Sequence, residues 1–196
     1  ILSLKLAKSR KDISETSYNN FIKDLKDLPN AIDETLKTED NVQAMAKEFI
    51  TAKGSMFLGR GSSFPIALEG ALKLKELSYL HAEGYPAGEM KHGPLALIED
   101  GLPVIVIAPK DKYYEKTLSN MQEVIARGGK ILFFTDQENK LINENIRFAV
   151  NVPSVNHLLA PILITIPLQL LAYHVALLKN RDIDKPRNLA KSVTVE

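Results

Sequence analysis

The sequence predicts an α/β protein: a three-layer αβα sandwich with a parallel sheet, preceded by helices. The first observation is that short apolar strands alternate with helices from residue 54 onward. The second is that these strands are apolar at consecutive positions, which is typical of strands covered on both faces. The third is the composition of the 196 residues, with 45% hydrophobic and 25% charged side chains, which is ordinary for a globular domain with its own core.

Helices are predicted before the first strand from the spacing of apolar residues. Residues 1–9 resemble the end of a helix, and residues 14–28 place their apolar side chains at helical spacing. Pro29 is expected to open a separate short helix, because proline suits the first turn of a helix. A third helix is predicted over residues 39–52, just before a glycine that ends it.

Four strands, and the helices between them, are predicted in the rest of the chain. The strands are predicted at residues 55–58, 104–108, 131–135 and 146–152. The helices are predicted at residues 64–81, 112–127 and 158–178, with a helical turn at 94–98 and a glycine-containing loop at 82–93. Ligands of such sheets bind beyond the carboxyl ends of the strands, so the loop at 59–63 is the first candidate site.

Residues 158–178 are nearly all apolar and are long enough to span a bilayer. The segment nevertheless contains Pro161, Pro167, Gln169 and His174, and nothing else in the chain is typical of a membrane protein. The composition therefore favours a buried core or interface helix over a membrane span.

Charge and cysteine content exclude several classes of function. The 25 basic and 24 acidic side chains give a net charge of +1, and the basic ones are scattered, so no nucleic-acid partner is expected. The chain has no cysteine, which excludes disulfides, zinc–thiolate sites and thiol nucleophiles and fits a reducing cytoplasm. No second histidine stands at a ligand spacing from His92, so neither a metal nor another cofactor is expected.

Gly61 and Ser62 lie in the loop between the first strand and the helix at 64–81. The free amides and the dipole at a helix N-terminus favour an anion or sugar hydroxyls, so both residues are candidates for substrate binding. The alternative is a tight turn with a serine cap, and the residues alone do not separate the two.

A narrow polar stripe runs along the otherwise apolar helix at 64–81. Glu69, Lys73 and Glu76 recur at spacings of four and three, which places them on one side of the helix. A solvated face with helical ion pairs is the usual explanation of such charges. The functional alternative is a carboxylate and an ammonium that act together in proton transfer.

His92 and the last residues are the remaining candidates. Small and turn-forming neighbours surround His92, so it is either an accessible general acid or base or an ordinary surface histidine. Residues 184–196 have no partner element in the sequence and contain Lys191. Terminal segments are usually poorly ordered, but this one is also able to fold back over a site.

Four stretches together resemble a known family. Residues 58–76, 91–98 and 167–174 are similar to the second sugar-isomerase (SIS) subdomain of the glucosamine-6-phosphate synthases, the isomerizing glutamine:fructose-6-phosphate aminotransferases. The ending at 186–196 is similar to the C-terminal tail of that family. The resemblance implies a flavodoxin-like SIS fold and a part in making glucosamine 6-phosphate and glutamate from fructose 6-phosphate and glutamine.

The same resemblance implies roles for individual residues. Glu76 matches the carboxylate that moves a proton between C1 and C2 of the sugar, and Lys73 matches its basic neighbour. His92 matches the histidine that opens the sugar ring in the site of a neighbouring subunit. Lys191 matches the lysine that forms a Schiff base with the open-chain ketose, and Ala190 matches a backbone contact to the sugar.

The resemblance also implies how the parent protein is organised. Because the chain begins with Ile1 and residues 8–13 faintly repeat at 179–183, we expect a fragment of a protein with tandem SIS units. We expect residues 1–37 to be the helical end of a preceding SIS subdomain, 38–182 the second subdomain and 183–196 the active-site tail. The partners implied are a glutaminase domain and a first SIS subdomain in the same parent chain, and a second copy in a cytoplasmic homodimer.

Two alternatives stay open beside this enzyme part, which is expected to be catalytically silent on its own. One is a regulatory SIS domain that senses a sugar phosphate without chemistry, although a sensor has no need of the Lys73 and Glu76 pair. The other is a different SIS isomerase or a sugar deglycase, against which the ending at 186–196 argues.

Overall fold

A computed structural model of the protein describes residues 1–137 and 146–189. Its centre is a sheet of five parallel strands in the order β2-β1-β3-β4-β5. The strands are β1 (Gly54–Gly59), β2 (His81–Pro86), β3 (Pro103–Ile107), β4 (Lys130–Thr135) and β5 (Ile146–Asn151). This order is that of the flavodoxin-like doubly wound sheets, and it confirms the predicted fold class.

Six α-helices of the described residues cover the sheet or precede it. They are α1 (Leu2–Ser9), α2 (Glu15–Leu36), α3 (Glu39–Ala46), α4 (Ser63–Ser78), α5 (Tyr114–Ile125) and α6 (Ala160–Leu178). Short 3₁₀ turns span Lys47–Phe49, Ala87–His92 and Pro94–Leu97. The sheet, with helices on both faces, is the three-layer sandwich that the alternation of strands and helices predicts.

Two hydrophobic cores, one on each face of the sheet, hold the layers together. Side chains from α2, α3, α4 and α6 pack against one face, with Phe49, Phe57 and Phe134 at the centre. Side chains from α5 and the two 3₁₀ turns after β2 pack against the other face, around Phe133 and Met121. The helix α4 and the turn Ala87–His92 therefore lie on opposite faces of the sheet.

The strand β2 is absent from the sequence-based prediction, which places a loop there. Its residues include His81, Glu83, Gly84 and Pro86 and show no apolar run. The strand forms because it pairs with β1 at the edge of the sheet, where polar residues and a terminal proline are tolerated. Gly84 permits close packing, since a Cβ atom there would lie 2.9 Å from the backbone nitrogen of Leu68 on α4.

Two of the predicted N-terminal helices have different bounds in the structure. The helix α2 runs through Pro29 instead of restarting there. Its apolar side, which includes Phe21, Leu25 and Ile32, packs on the first core and compensates for the backbone hydrogen bond that proline removes. The following helix ends at Ala46 and continues only as the 3₁₀ turn Lys47–Phe49, not to residue 52.

The long apolar segment forms α6, which packs on α4, α3 and α2. Within the described part of the chain it is the one helix long and apolar enough to cross a membrane, and half of it is buried inside the domain. Its His174 is also buried and lies 3.1 Å from Oε1 of Glu39 on α3. These contacts support the interpretation of α6 as a core helix.

Candidate active site and its separate cleft

The polar stripe of α4 is a set of ion pairs. Nζ of Lys73 donates a hydrogen bond of 2.9 Å to Oε2 of Glu76, and it lies 3.7 Å from Oε1 of Glu69. The side chains of Lys73 and Glu76 are about one-third exposed, at 32% and 29%, so both are accessible from solvent. The hydrogen bond to Glu76 raises the pKa of Lys73 above its ordinary value, against the opposing effect of partial burial.

This arrangement holds an ammonium beside a carboxylate at neutral pH. The pair rests on a helix whose opposite side is locked into the first core by Ile66, Ala67, Ala71 and Leu74. A rigid helix is a precise support for groups that must meet a substrate. The pair therefore presents a fixed ammonium to an adjacent ligand and, beside it, a carboxyl group of the kind that acts as a general base.

The helix α4 ends at Ser78, and Tyr79, three residues beyond Glu76, is its C-cap. This residue has a left-handed backbone, with φ of 62°, and its N–H still bonds the carbonyl of Lys75. Its phenolic oxygen accepts a hydrogen bond of 2.8 Å from the backbone N–H of Arg187. The segment 181–189 is thus attached to the end of α4, while Ala190 and Lys191 lie outside the described residues.

His92 ends the 3₁₀ turn that follows β2, and its side chain is 75% exposed. Its Nε2 lies 3.8 Å from Oε2 of Glu89. The preceding Lys91 contacts Glu123 of α5 at 3.0 Å, which ties the turn to the second face of the sheet. His92 is therefore separated from the Lys73 and Glu76 pair of the same chain by the sheet.

Gly61 and Ser62 line a cleft of about 600 Å³ at the carboxyl edge of the sheet, between β1 and β3. The opposite walls come from the segments after β3, β4 and β5 and from the start of α6: Lys110, Asp111, Tyr113, Asp136, His157 and Pro161. Gly61 has a φ of 55°, and a Cβ atom there would lie 2.5 Å from the ring of Tyr113. The glycine is thus required both by the turn and by the neighbouring ring.

The cleft and the ion pair are at opposite ends of α4. Fourteen residues separate Ser62 from Glu76, which corresponds to about 21 Å along a helix. A hexose phosphate is shorter than this, so one sugar cannot contact both residues of one chain. The structure brings Lys73 and Glu76 together, but it leaves His92 on the opposite face and Gly61 and Ser62 at a separate location.

Tyr79 and Glu123 form contacts that the sequence does not predict. Tyr79 is one of many residues in an apolar helix, and its contacts with residues 181–189 depend on the tertiary fold. Glu123 lies within the predicted helix at 112–127, where nothing in the sequence singles it out. The sequence carries no signal for Tyr79 either, because the predicted helix runs to residue 81, whereas α4 ends at Ser78.

Among residues 1–137 and 146–189, no group of three or more His, Cys, Asp and Glu side chains is placed to hold a metal ion.

Curated relatives match the chain over its whole length. A glutamine–fructose-6-phosphate aminotransferase [isomerizing] from Bordetella pertussis is 52% identical over all 196 residues, and one from Bacteroides thetaiotaomicron is 50% identical. In each case the match covers 32% of the relative, so the chain spans about a third of the length of these proteins. These matches confirm the resemblance that the sequence motifs indicate.

Solved structures give the same result at the level of the fold. The C-terminal domain of glucosamine-fructose-6-phosphate aminotransferase from Francisella tularensis superimposes with a TM-score of 0.90 at 41% identity, over 94% of this chain and 52% of that one. A glucosamine-6-phosphate deaminase from Thermotoga maritima superimposes with a TM-score of 0.68 at 26% identity, over 97% of this chain and 53% of that one. The SIS domain family matches residues 48–179, from the end of α3 to the end of α6. Because that match covers most of the chain and includes the whole parallel sheet, the protein belongs to the SIS domain family.

Proposed function

We propose that this chain is the part of an isomerizing glutamine–fructose-6-phosphate aminotransferase that isomerises the sugar. The observation that carries the proposal is the Lys73 and Glu76 ion pair on α4, with residues 181–189 attached to the same helix end. The relatives whose names state this activity match the chain from its first residue to its last. The parent protein converts fructose 6-phosphate and glutamine to glucosamine 6-phosphate and glutamate.

The proposed chemistry assigns one task to each residue. The amine of Lys191 adds to the C2 carbonyl of open-chain fructose 6-phosphate and releases water, which forms an imine. Ammonia, supplied by the parent chain, then displaces the lysine amine from C2, which frees Lys191 and leaves an unsubstituted imine on the sugar. This imine acidifies the C1 proton, which the carboxylate of Glu76 removes and then returns at C2 to give the 2-amino aldose. Lys73 exchanges the proton on the sugar oxygen, for which its ammonium beside Glu76 is suited. Ala190 contacts the sugar through its backbone.

The distance along the chain supports the role of Lys191. Four residues separate Arg187, which is bonded to Tyr79, from Lys191, and four residues extend at most about 14 Å. Tyr79 in turn lies three residues after Glu76, less than one helical turn along α4. The amine is thus within chain reach of the carboxylate.

The position of His92 supports a proposed homodimer. Ring opening of the sugar needs an acid or base near its ring oxygen, and His92 is exposed on the face of the sheet opposite to α4. We infer that His92 serves the site of a second copy. A His92 variant that lacks the imidazole should lose activity with cyclic fructose 6-phosphate. Mixing this variant with a Glu76 variant should restore part of the activity, because a mixed dimer contains one site with both intact residues.

The remaining parts of the reaction belong to the parent chain. In this proposal a glutaminase domain supplies ammonia, and a first SIS subdomain holds the sugar phosphate, in a cytoplasmic enzyme. Residues 38–182 form the second SIS subdomain, in agreement with the family match at 48–179. Residues 1–37 lead from the first subdomain, and 183–196 close the site. The chain alone is catalytically silent.

Gly61 and Ser62 are proposed to contact sugar or phosphate groups only within their own cleft, because of their distance from Glu76. Titration of inorganic phosphate and of fructose 6-phosphate, followed by the amide resonance of Gly61, tests this role. A shift with phosphate alone supports an anion site, whereas no shift with either compound removes both residues from the set of binding residues.

The decisive experiment uses the full-length parent protein with fructose 6-phosphate and borohydride. Reduction should attach the sugar irreversibly to Lys191, as read by peptide mass spectrometry, and Lys191→Arg should abolish the adduct. Glu76→Gln should keep the adduct but lose isomerisation by roughly a hundredfold or more. Glu69→Gln, on the same stripe, is the control and should stay close to the unsubstituted protein. Sugar binding without any adduct would favour a sensor domain instead.

A further inference from the structure

Tyr79 occupies a backbone conformation that does not suit it. Its φ of 62° and ψ of 17° lie in the left-handed region, which glycine and asparagine adopt readily at helix ends. An aromatic side chain is strained there. The helix end by itself gives no reason for a tyrosine, so the reason must lie in what the side chain contacts.

The side chain of Tyr79 contacts residues 181–189 in three ways. Its oxygen accepts the backbone N–H of Arg187 at 2.8 Å. The guanidinium carbon of Arg187 lies 4.3 Å from the centroid of its ring, and that of Arg181 lies 5.3 Å away. Both distances are within the range of cation–π attraction. Neither glycine nor asparagine offers an aromatic face or this acceptor.

We propose that Tyr79 is a positioning residue that anchors residues 181–189 to the end of α4 before the sugar arrives, and so keeps Lys191 within chain reach of Glu76. The proposal rests on the proposed function for the roles of Lys191 and Glu76, but the anchor itself rests only on the contacts of Tyr79. A segment that is already docked loses less conformational freedom when the sugar binds. The strain at Tyr79 is thus offset by a preorganised approach of the reactive amine.

Two variants separate anchoring from simple stability. Tyr79→Asn removes the ring and the hydroxyl but places a residue that tolerates the left-handed backbone. Tyr79→Phe keeps the ring and removes only the acceptor for the Arg187 N–H. Lys11→Asn is the matched control, because Lys11 also has a left-handed backbone, with φ of 60°, and is exposed in the turn after α1.

The first measurement is trypsin cleavage after Arg187 in the full-length parent protein without sugar. Because cleavage follows the population of the undocked segment, Tyr79→Asn should be cut roughly tenfold faster and Tyr79→Phe roughly threefold faster. Lys11→Asn should be cut at the rate of the unsubstituted protein. The melting temperature of Tyr79→Asn should be equal or higher, since the substitution relieves strain.

The second measurement is the KM for fructose 6-phosphate. Sugar is expected to bind the docked state, so KM rises as the docked fraction falls, whereas cleavage rises with the undocked fraction. Tyr79→Asn should therefore raise KM, but by a smaller factor than it raises cleavage, with kcat nearly unchanged. Unchanged cleavage in Tyr79→Asn would overturn the anchor. A fall in kcat without a change in KM would overturn its role in docking.

The two proposals fail in different experiments. If the unsubstituted parent protein forms no adduct at Lys191, the proposed function and the delivery of this amine both fail. The cleavage comparison needs no sugar, so faster cleavage in Tyr79→Asn would still support the anchor in that case.

Discussion

Lys73 donates a hydrogen bond of 2.9 Å to Glu76, one helical turn further along α4. The contact raises the pKa of Lys73, so the folded chain holds this proton more tightly than the unfolded chain. The resulting stabilisation is fully present below the ordinary pKa of 10.5 and is lost as the pH rises through the raised value.

We therefore expect Lys73→Met to lower the free energy of unfolding by no more than about 1 kcal/mol near neutral pH, because the pair is partly solvated. The difference from the unsubstituted chain should shrink above about pH 10.5. Urea unfolding of the 196-residue chain at several pH values measures it. Lys75→Met, on the exposed side of the same helix, is the control. If both variants show the same pH dependence, the interaction between Lys73 and Glu76 does not stabilise the fold.

Tyr85 of β2 donates a hydrogen bond to Glu83 on the same strand. This bond, with burial as the second cause, raises the pKa of the Tyr85 hydroxyl from 10.0 to about 12. Since the raised pKa favours the neutral phenol in the folded state, the stabilisation is complete below pH 10 and is lost between about pH 10 and about pH 12.

Absorbance of tyrosinate should accordingly show a step near pH 12 that belongs to Tyr85, beside a delayed titration of Tyr114, whose pKa burial also raises. Glu83→Gln should bring the pKa of Tyr85 back toward an ordinary value, and Tyr85→Phe should remove the step near pH 12. If that step persists in Tyr85→Phe, it belongs to another tyrosine.

Glu123 of α5 has one oxygen 3.0 Å from Nζ of Lys91, while its Oε2 is buried with no hydrogen-bond partner among the described residues. Lys91→Met would leave this half-buried carboxylate without its cation. We expect a loss of about 1–2 kcal/mol in the free energy of unfolding. Lys91→Arg should keep most of the interaction with Glu123. Equal losses of unfolding free energy in the two variants would therefore argue against a stabilising ion pair.

Gly70 lies inside α4 where the helix crosses the first core. A Cβ atom there would lie 2.9 Å from the ring of Phe57 and 3.1 Å from a methyl group of Leu168 on α6. Alanine is the better helix former by about 1 kcal/mol, but overpacking costs about 1–3 kcal/mol, so Gly70→Ala should destabilise the chain on balance. Thermal unfolding measures the change in stability. A raised melting temperature would show that Phe57 and Leu168 move enough to accommodate the methyl group.

Much of the fold was predictable from patterns along the chain. The strands β1, β3, β4 and β5 are short apolar runs, and α4 and α5 follow turns rich in glycine or polar residues. Local pattern also placed the ion-pair stripe, because positions 69, 73 and 76 share one side of any helix. The strand β2 escaped prediction because its residues carry no apolar run, and only pairing with β1 makes them a strand.

The prediction at Pro29 was wrong in the opposite direction: it divided an element that is continuous in the structure. Pro29 is a reliable reason to divide a helix when only local hydrogen bonds are considered. In the structure, α2 continues because the burial of its apolar side outweighs the lost backbone bond. A prediction from the chain alone has no measure of this packing.

By itself, the sequence determined the fold class and the pairing of Lys73 with Glu76, since both follow from spacings of a few residues along one element. Only the tertiary structure decided where those groups stand relative to the others. It placed Tyr113 and His157 opposite Gly61 and Ser62, His92 across the sheet from Glu76, and Arg187 on Tyr79. These are contacts between residues far apart in the chain or on different faces of the sheet, and they depend on the order in which the strands pair.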